Sequence, residues 1–73
     1  MNENIQVELI SPPDRDFLCA SIMIGNEQWV ELNQEGGTLT FEFYARRDGE
    51  PWCIGCKDAI GALLRAKERL VSR

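Results

Sequence analysis

Histidine is missing from this chain of 73 residues. Its absence excludes imidazole acid–base catalysis, a histidine pH switch and any His-ligated metal. Cysteine is scarce. Cys19, Cys53 and Cys56 make an odd count, which does not build a disulfide framework. A zinc site at Cys53-x-x-Cys56 would need two further ligands, and only Cys19 is left, so no metal and no cofactor is expected. Long apolar runs are lacking too. None approaches the roughly 18 residues that span a bilayer, so no membrane partner is expected. The opening residues Met1 to Ile5 lack the basic and apolar regions of a signal peptide, which points to a cytoplasmic protein with reduced thiols. Basic charge is in deficit: eight Lys and Arg against twelve Asp and Glu give a net charge of −4. That balance argues against nucleic acid and would suit a basic protein partner. No glycine-rich phosphate loop opens a helix, because Gly36-Gly37 leads into a strand.

What is present reads as one domain, residues 1–73, with 44% hydrophobic and 27% charged residues. A domain this short buries only about 60% of its unfolded surface, so its core is small and added support from a second subunit is a common solution. The apolar pattern has period 2 up to about Arg46 and becomes helical after Gly55. Strands are expected over about 4–10, 17–24, 27–32 and 38–46, and a helix over about 56–72. Ser11-Pro12-Pro13-Asp14 ends the first strand, and Gly25-Asn26 is a two-residue hairpin signal. With short connections the strands form an antiparallel meander, and the helix packs on one face: an α+β fold, ββββα. Gly55 is the expected helix N-cap, with Asp58 in the first turn where it complements the dipole. At 100° per residue, Cys56, Ala59, Ile60, Leu63, Leu64, Ala66, Leu70 and Val71 form a broad apolar stripe, with Lys67 inside it.

One helix covers one face. Alternation assigns Val7, Leu9, Leu18, Ala20, Ile22, Ile24, Val30, Leu32, Leu39, Phe41 and Phe43 to the covered face. It leaves Ile10, Phe17, Cys19, Met23, Trp29 and Tyr44 on the other, beside Glu31, Thr40 and Glu42. An apolar patch of that kind on a small protein marks a partner or dimer interface, with Trp29 and Tyr44 as anchors. The paired carboxylates Asp14/Asp16 and Glu31/Glu42 read as a solvated loop and a solvated rim. Nothing sets a nucleophile beside a base, so the chain is not read as an enzyme.

The six residues Trp52-Cys53-Ile54-Gly55-Cys56-Lys57 resemble the thioredoxin active-site segment, which implies a thiol–disulfide role with Cys53 attacking and Cys56 resolving. That family needs a parallel βαβ unit before the motif and a cis-proline opposite it. Here an antiparallel meander precedes it, and the prolines are Pro12, Pro13 and Pro51. Cys56 falls in the apolar stripe and is expected to plug the helix start, leaving Cys53 as the open thiol.

From Arg15 to Leu70 the chain also resembles a set of small uncharacterised bacterial and phage-borne proteins. The resemblance runs through the tryptophan strand ending Leu32-Asn33-Gln34-Glu35, then Thr40-Phe41-Glu42-Phe43-Tyr44, Gly49-Glu50-Pro51-Trp52 and the helix end Ala66-Lys67-Glu68-Arg69-Leu70. Some of these look like immunity or inhibitor proteins, which implies a non-catalytic module that neutralises a partner by binding it. A thiol redox protein and a structural homodimer are the alternatives.

Overall fold

A computed structural model describes residues 4–72. Alternating apolar residues form β1 (Ile5–Ile10), the near-continuous apolar run forms β2 (Cys19–Ile24), and β3 (Glu27–Asn33) and β4 (Thr40–Phe43) complete the sheet before α1 (Cys56–Val71). The strand order is β1-β2-β3-β4, antiparallel throughout. The expected ββββα meander is the observed architecture. Strand β2 starts two residues later than the expected 17, and β4 is shorter at both ends than 38–46. At its start, Thr38 is engaged locally through its carbonyl by the Thr40 hydroxyl at 3.0 Å. At its end, one further bond, Tyr44 N–H to the Trp29 carbonyl at 2.9 Å, precedes the turn in which Gly49 N–H meets the Arg46 carbonyl.

The β2–β3 hairpin turns on Gly25, whose φ of 64° is open to glycine at low cost, while Asn26 keeps a negative φ. A positive φ at the first central residue alone is the type II′ pattern. Just beyond the turn lies a β-bulge. Ile22 pairs with Val30 but Met23 pairs with Gln28, so Trp29 is an extra residue on β3. The extra residue overturns the alternation at this point. Trp29 does not sit on the face opposite the helix; it is 8% exposed within the core cluster, its ring edge-on to Phe43 at 5.8 Å.

The core joins Ala20, Ile22, Ile24, Trp29, Val30 and Leu32 to Ala62, Ala66 and Leu70 of the helix. Gly55 caps α1 as expected, without a side-chain cap bond, and Asp58 stands in the first turn. Alanine at 62 and 66 allows the helix close to the strands, and full burial of Leu70 contributes about 1.5–3 kcal/mol. The helix packs on β1 and β2. It therefore buries a narrower arc than the eight-residue stripe. Ile60, Leu64 and Val71 are exposed, and so is Cys56, which does not plug the core. Leu39 and Phe43 of the expected covered set are exposed as well, because no helix lies over them.

Candidate functional site

Three regions carry side chains that packing alone does not explain. The first is the sheet face away from the helix. Pro12 to Arg15 form a turn closed by Arg15 N–H on the Pro12 carbonyl at 3.2 Å, with Pro13 at the second position, where proline is favoured. This turn lays Arg15 across the sheet. Its Nη2 lies 3.0 Å from Glu31 Oε2 and 3.2 Å from Glu42 Oε1. Glu31 and Glu42 are direct cross-strand partners, an arrangement that repels unless donors intervene. Asn33 supplies the second set. Its Nδ2 donates to Glu31 Oε2 at 3.1 Å and to Glu42 Oε2 at 2.8 Å, while its Oδ1 accepts from Glu35 N–H. Glu35 in turn accepts from Asp16 N–H, tying the strap to the β3–β4 turn.

The electrostatics follow from this arrangement. Burial works against the charge on Arg15, but Glu31 and Glu42 outweigh it and raise its affinity for the proton. Tyr44, beside the same carboxylates, is raised by desolvation first and by Glu31 and Glu42 second. Cys19 has no exposed surface, and burial next to Glu31 pushes its thiol up to about 11. The rim expected to be solvated is thus a largely buried polar network, with Ser21, Glu31 and Asn33 among the buried residues. Of the residues assigned to an apolar interface on this face, Phe17 and Tyr44 are exposed, Ile10 and Met23 are half-buried, Cys19 is sealed, and Trp29 belongs to the core. The structure does not gather these six into one open patch.

The second region lies on the helix side. The guanidinium of Arg69 donates to the Val7 carbonyl on the outer strand β1, which fixes the flank of α1 at that edge. By helical geometry Ile60 and Lys67 lie on the flank away from Arg69, roughly 100–120° from the buried Ala66, whereas Leu64 and Val71, roughly 140–160° from it, point away from the sheet. At the β4 end of the sheet Leu39 and Phe43 are exposed, with Phe41 half-buried and its ring 6.1 Å from that of Phe43. Phe43 and Leu64 each keep 59% of their surface in solvent. A depression of about 300 Å³ lies on the outer side of the helix near its end, lined by Leu64, Lys67, Glu68, Val71 and Ser72. Alternation in the strands does not announce that Leu39 and Phe43 stay exposed, since the helix packs on β1 and β2 and does not reach β4.

The third region is the thiol segment. Cys53 and Cys56 are both free and exposed, and Cys53 lines a cavity of about 210 Å³ with Ile24, Gly25, Asn26, Glu27, Arg46, Trp52 and Ile54. Trp52 is held by its indole N–H, which donates to the Tyr44 carbonyl at 2.7 Å, and Arg46 lies over its ring at 5.3 Å. Among the described residues no group of three or more Cys, Asp and Glu side chains is placed to hold a metal ion, and no helix is long and apolar enough to cross a membrane.

The fold and these regions define an α+β protein with a strapped sheet face and a half-covered opposite face. Compared with protein-family models, curated proteins and solved structures, the chain gives no match.

Proposed function

We propose that this protein is a non-catalytic binding module that captures a protein partner. The most concrete form is an immunity- or inhibitor-type role of the kind the bacterial and phage resemblance implies. The observation that carries the reading is the set of exposed apolar side chains: Leu39 and Phe43, beside half-buried Phe41, at the β4 end of the sheet, and Ile60, Leu64 and Val71 on the helix. The inward residues of β3, Val30 and Leu32, are buried, so the uncovered strip is the outer strand β4 with its exposed Phe43 and the neighbouring Leu39. An amphipathic segment of a partner docks on such exposed apolar side chains through its own apolar face. The net charge of −4 favours a basic partner and speeds its encounter.

A photo-crosslinking side chain placed at Leu64 or Phe43, with Gln6 on the far face as control, tests this in cells. The expected result is one crosslinked protein from the first two positions and none from Gln6. Crosslinks only from Gln6, or none at all, would sink the reading. A crosslink to a second copy would instead mark the structural homodimer.

A thiol–disulfide role is the second reading, favoured by the exposure of both Cys53 and Cys56. Replacing both, by serine and alanine, distinguishes the two. Partner capture survives under the first reading and biological activity is lost under the second.

A further inference from the structure

The cavity beside Cys53 has features that partner capture on the helix flank does not use. It sits at the end of the sheet, walled by Ile24 and the Gly25-Asn26 turn on one side and by Trp52, Cys53 and Ile54 on the other. Two charged side chains line it, Glu27 and Arg46. They differ in how far their hydrogen-bonding capacity is already committed. Glu27 Oε1 accepts the Arg47 backbone N–H at 3.0 Å and faces the Arg47 guanidinium at 3.8 Å. Arg47 is itself held by the backbone and side-chain oxygens of Asn26.

Arg46 is the uncommitted group. A guanidinium carries five N–H donors in a planar fork. Among the described residues its ionic contact is a loose one, Nη2 to Asp48 Oδ2 at 3.6 Å, and its Nε is buried with no hydrogen-bond partner. Nε has no surface open to a ligand atom, so the donors left for one are those of the two Nη groups, of which Nη2 holds only the loose Asp48 contact. Its guanidinium carbon, 5.3 Å from the Trp52 ring centroid, is oriented by the anchored indole, so the fork is pre-aligned. The lining charges balance, so selection here comes from unspent directed donors rather than from net potential. The space, about 210 Å³, exceeds what one water needs and falls below the roughly 300–1,000 Å³ of drug-sized ligand sites.

We infer that this cavity is a binding site for a small carboxylate, gripped by Arg46 against Trp52 and lying within reach of the Cys53 thiol. The carboxylate belongs either to a free small acid or to the C-terminus of a peptide, because both present the same planar pair of oxygens to the fork. The site stands apart from the exposed Leu64 and Phe43, and neither reading depends on the other.

Cys53 supplies the test, since it lines the cavity and Cys56 does not. Iodoacetate and iodoacetamide both alkylate a thiol: the sulfur displaces iodide from the reagent's methylene carbon and the thiol proton goes to solvent. Only iodoacetate carries a carboxylate. With labelling assigned by mass spectrometry, the iodoacetate-to-iodoacetamide rate ratio is expected to be at least about five-fold higher at Cys53 than at Cys56, and to saturate with iodoacetate concentration. Arg46→Gln should bring the Cys53 ratio down to that of Cys56, and Arg46→Lys should keep part of the preference. Continued silence of the buried Cys19 reports that each variant is folded. Equal ratios at both cysteines in the native protein, a Cys53 unreactive to both reagents, or an Arg46→Gln variant with an unchanged ratio would each overturn the proposal. Protection by acetate identifies a free acid. Protection by a tripeptide with a free C-terminus but not by its amide identifies a chain terminus, and protection by neither overturns the site.

Discussion

On the helix side of the sheet the fully buried residues include Ala20, Ile22, Val30 and Leu32, whereas on the far side the most deeply buried are Cys19, Ser21, Glu31 and Asn33. The two faces share the same strands and differ in what covers them. An amphipathic helix covers one, and its contribution is dispersion and water exclusion, which tolerate changes of shape. A short proline-braced strap covers the other, and a strap cannot bury much apolar area. It brings one guanidinium instead, and the face beneath is organised around hydrogen bonds to Glu31 and Glu42. Such contacts are directional and fail abruptly when one partner is lost. Most of the stability should therefore reside on the helix side, and most of the conformational specificity on the far side.

The sharpest way to break this contrast is through Trp29. As a core residue at the bulge, Trp29→Ala should cost about 3–5 kcal/mol, a large share of what a domain of this size possesses. Urea unfolding measures it. A cost below about 1 kcal/mol with the fold retained would return Trp29 to the surface and remove the bulge from the argument.

The far face should answer to pH where the helix side does not. Cys19 titrates near 11 in the folded protein against an ordinary value of 9.0. The folded state thus holds the thiol proton more tightly than the unfolded chain. The associated stability is complete below about pH 9 and declines as pH rises toward 11, by roughly 3 kcal/mol over the two units. Tyr44 is displaced in the same direction and steepens the upper part of the curve. Unfolding midpoints measured from pH 8 to 11 should fall for the native protein and fall less for Cys19→Ala. Parallel curves would show that burial of Cys19 carries no linkage.

Asn33→Ala comes next in size. It removes both amide donors from the paired carboxylates and leaves Arg15 as the bridge between them, at an expected cost of about 1–3 kcal/mol. Denaturant unfolding of Asn33→Ala beside Asn33→Asp sharpens the point, because the aspartate fills the space but adds a third negative charge and should be the less stable of the two. Equal stabilities would mean that shape, not donor chemistry, matters at this position.

The legible parts of this molecule were those with a period. The change from alternation to helical spacing located all four strands and the helix start at Cys56, and Gly25-Asn26 located the hairpin. The face assignment failed at Trp29 because one extra residue inverts the parity of a strand, and no composition signal announces a bulge. The helix stripe was half right for a different reason. Eight apolar positions span more arc than a helix can bury on two strands, and the small Ala62, not in the stripe, proved central. The polar network rests on Arg15, which lies in a loop without any repeat. Its trace in the sequence was indirect: Glu31 opposite Glu42 requires a donor from somewhere.

The smallest effect on stability falls at the exposed apolar side chains Phe43 and Leu64. Phe43→Glu and Leu64→Glu alter side chains already more than half in solvent, so each should change stability by no more than about 0.5 kcal/mol. Phe43 carries the larger risk, since its ring meets Trp29. Leu64, with no such contact, is the cleaner probe. If the exposed helix side chains receive a partner segment, Leu64→Glu should abolish its capture while the unfolding curve stays in place, because a buried charge without a counter-ion opposes docking. Surface and core would then be separated by experiment: Trp29 removes the fold, and Leu64 removes only the partner. Capture unaffected by Leu64→Glu would place the interface elsewhere and leave the exposed flank as surface without a binding role.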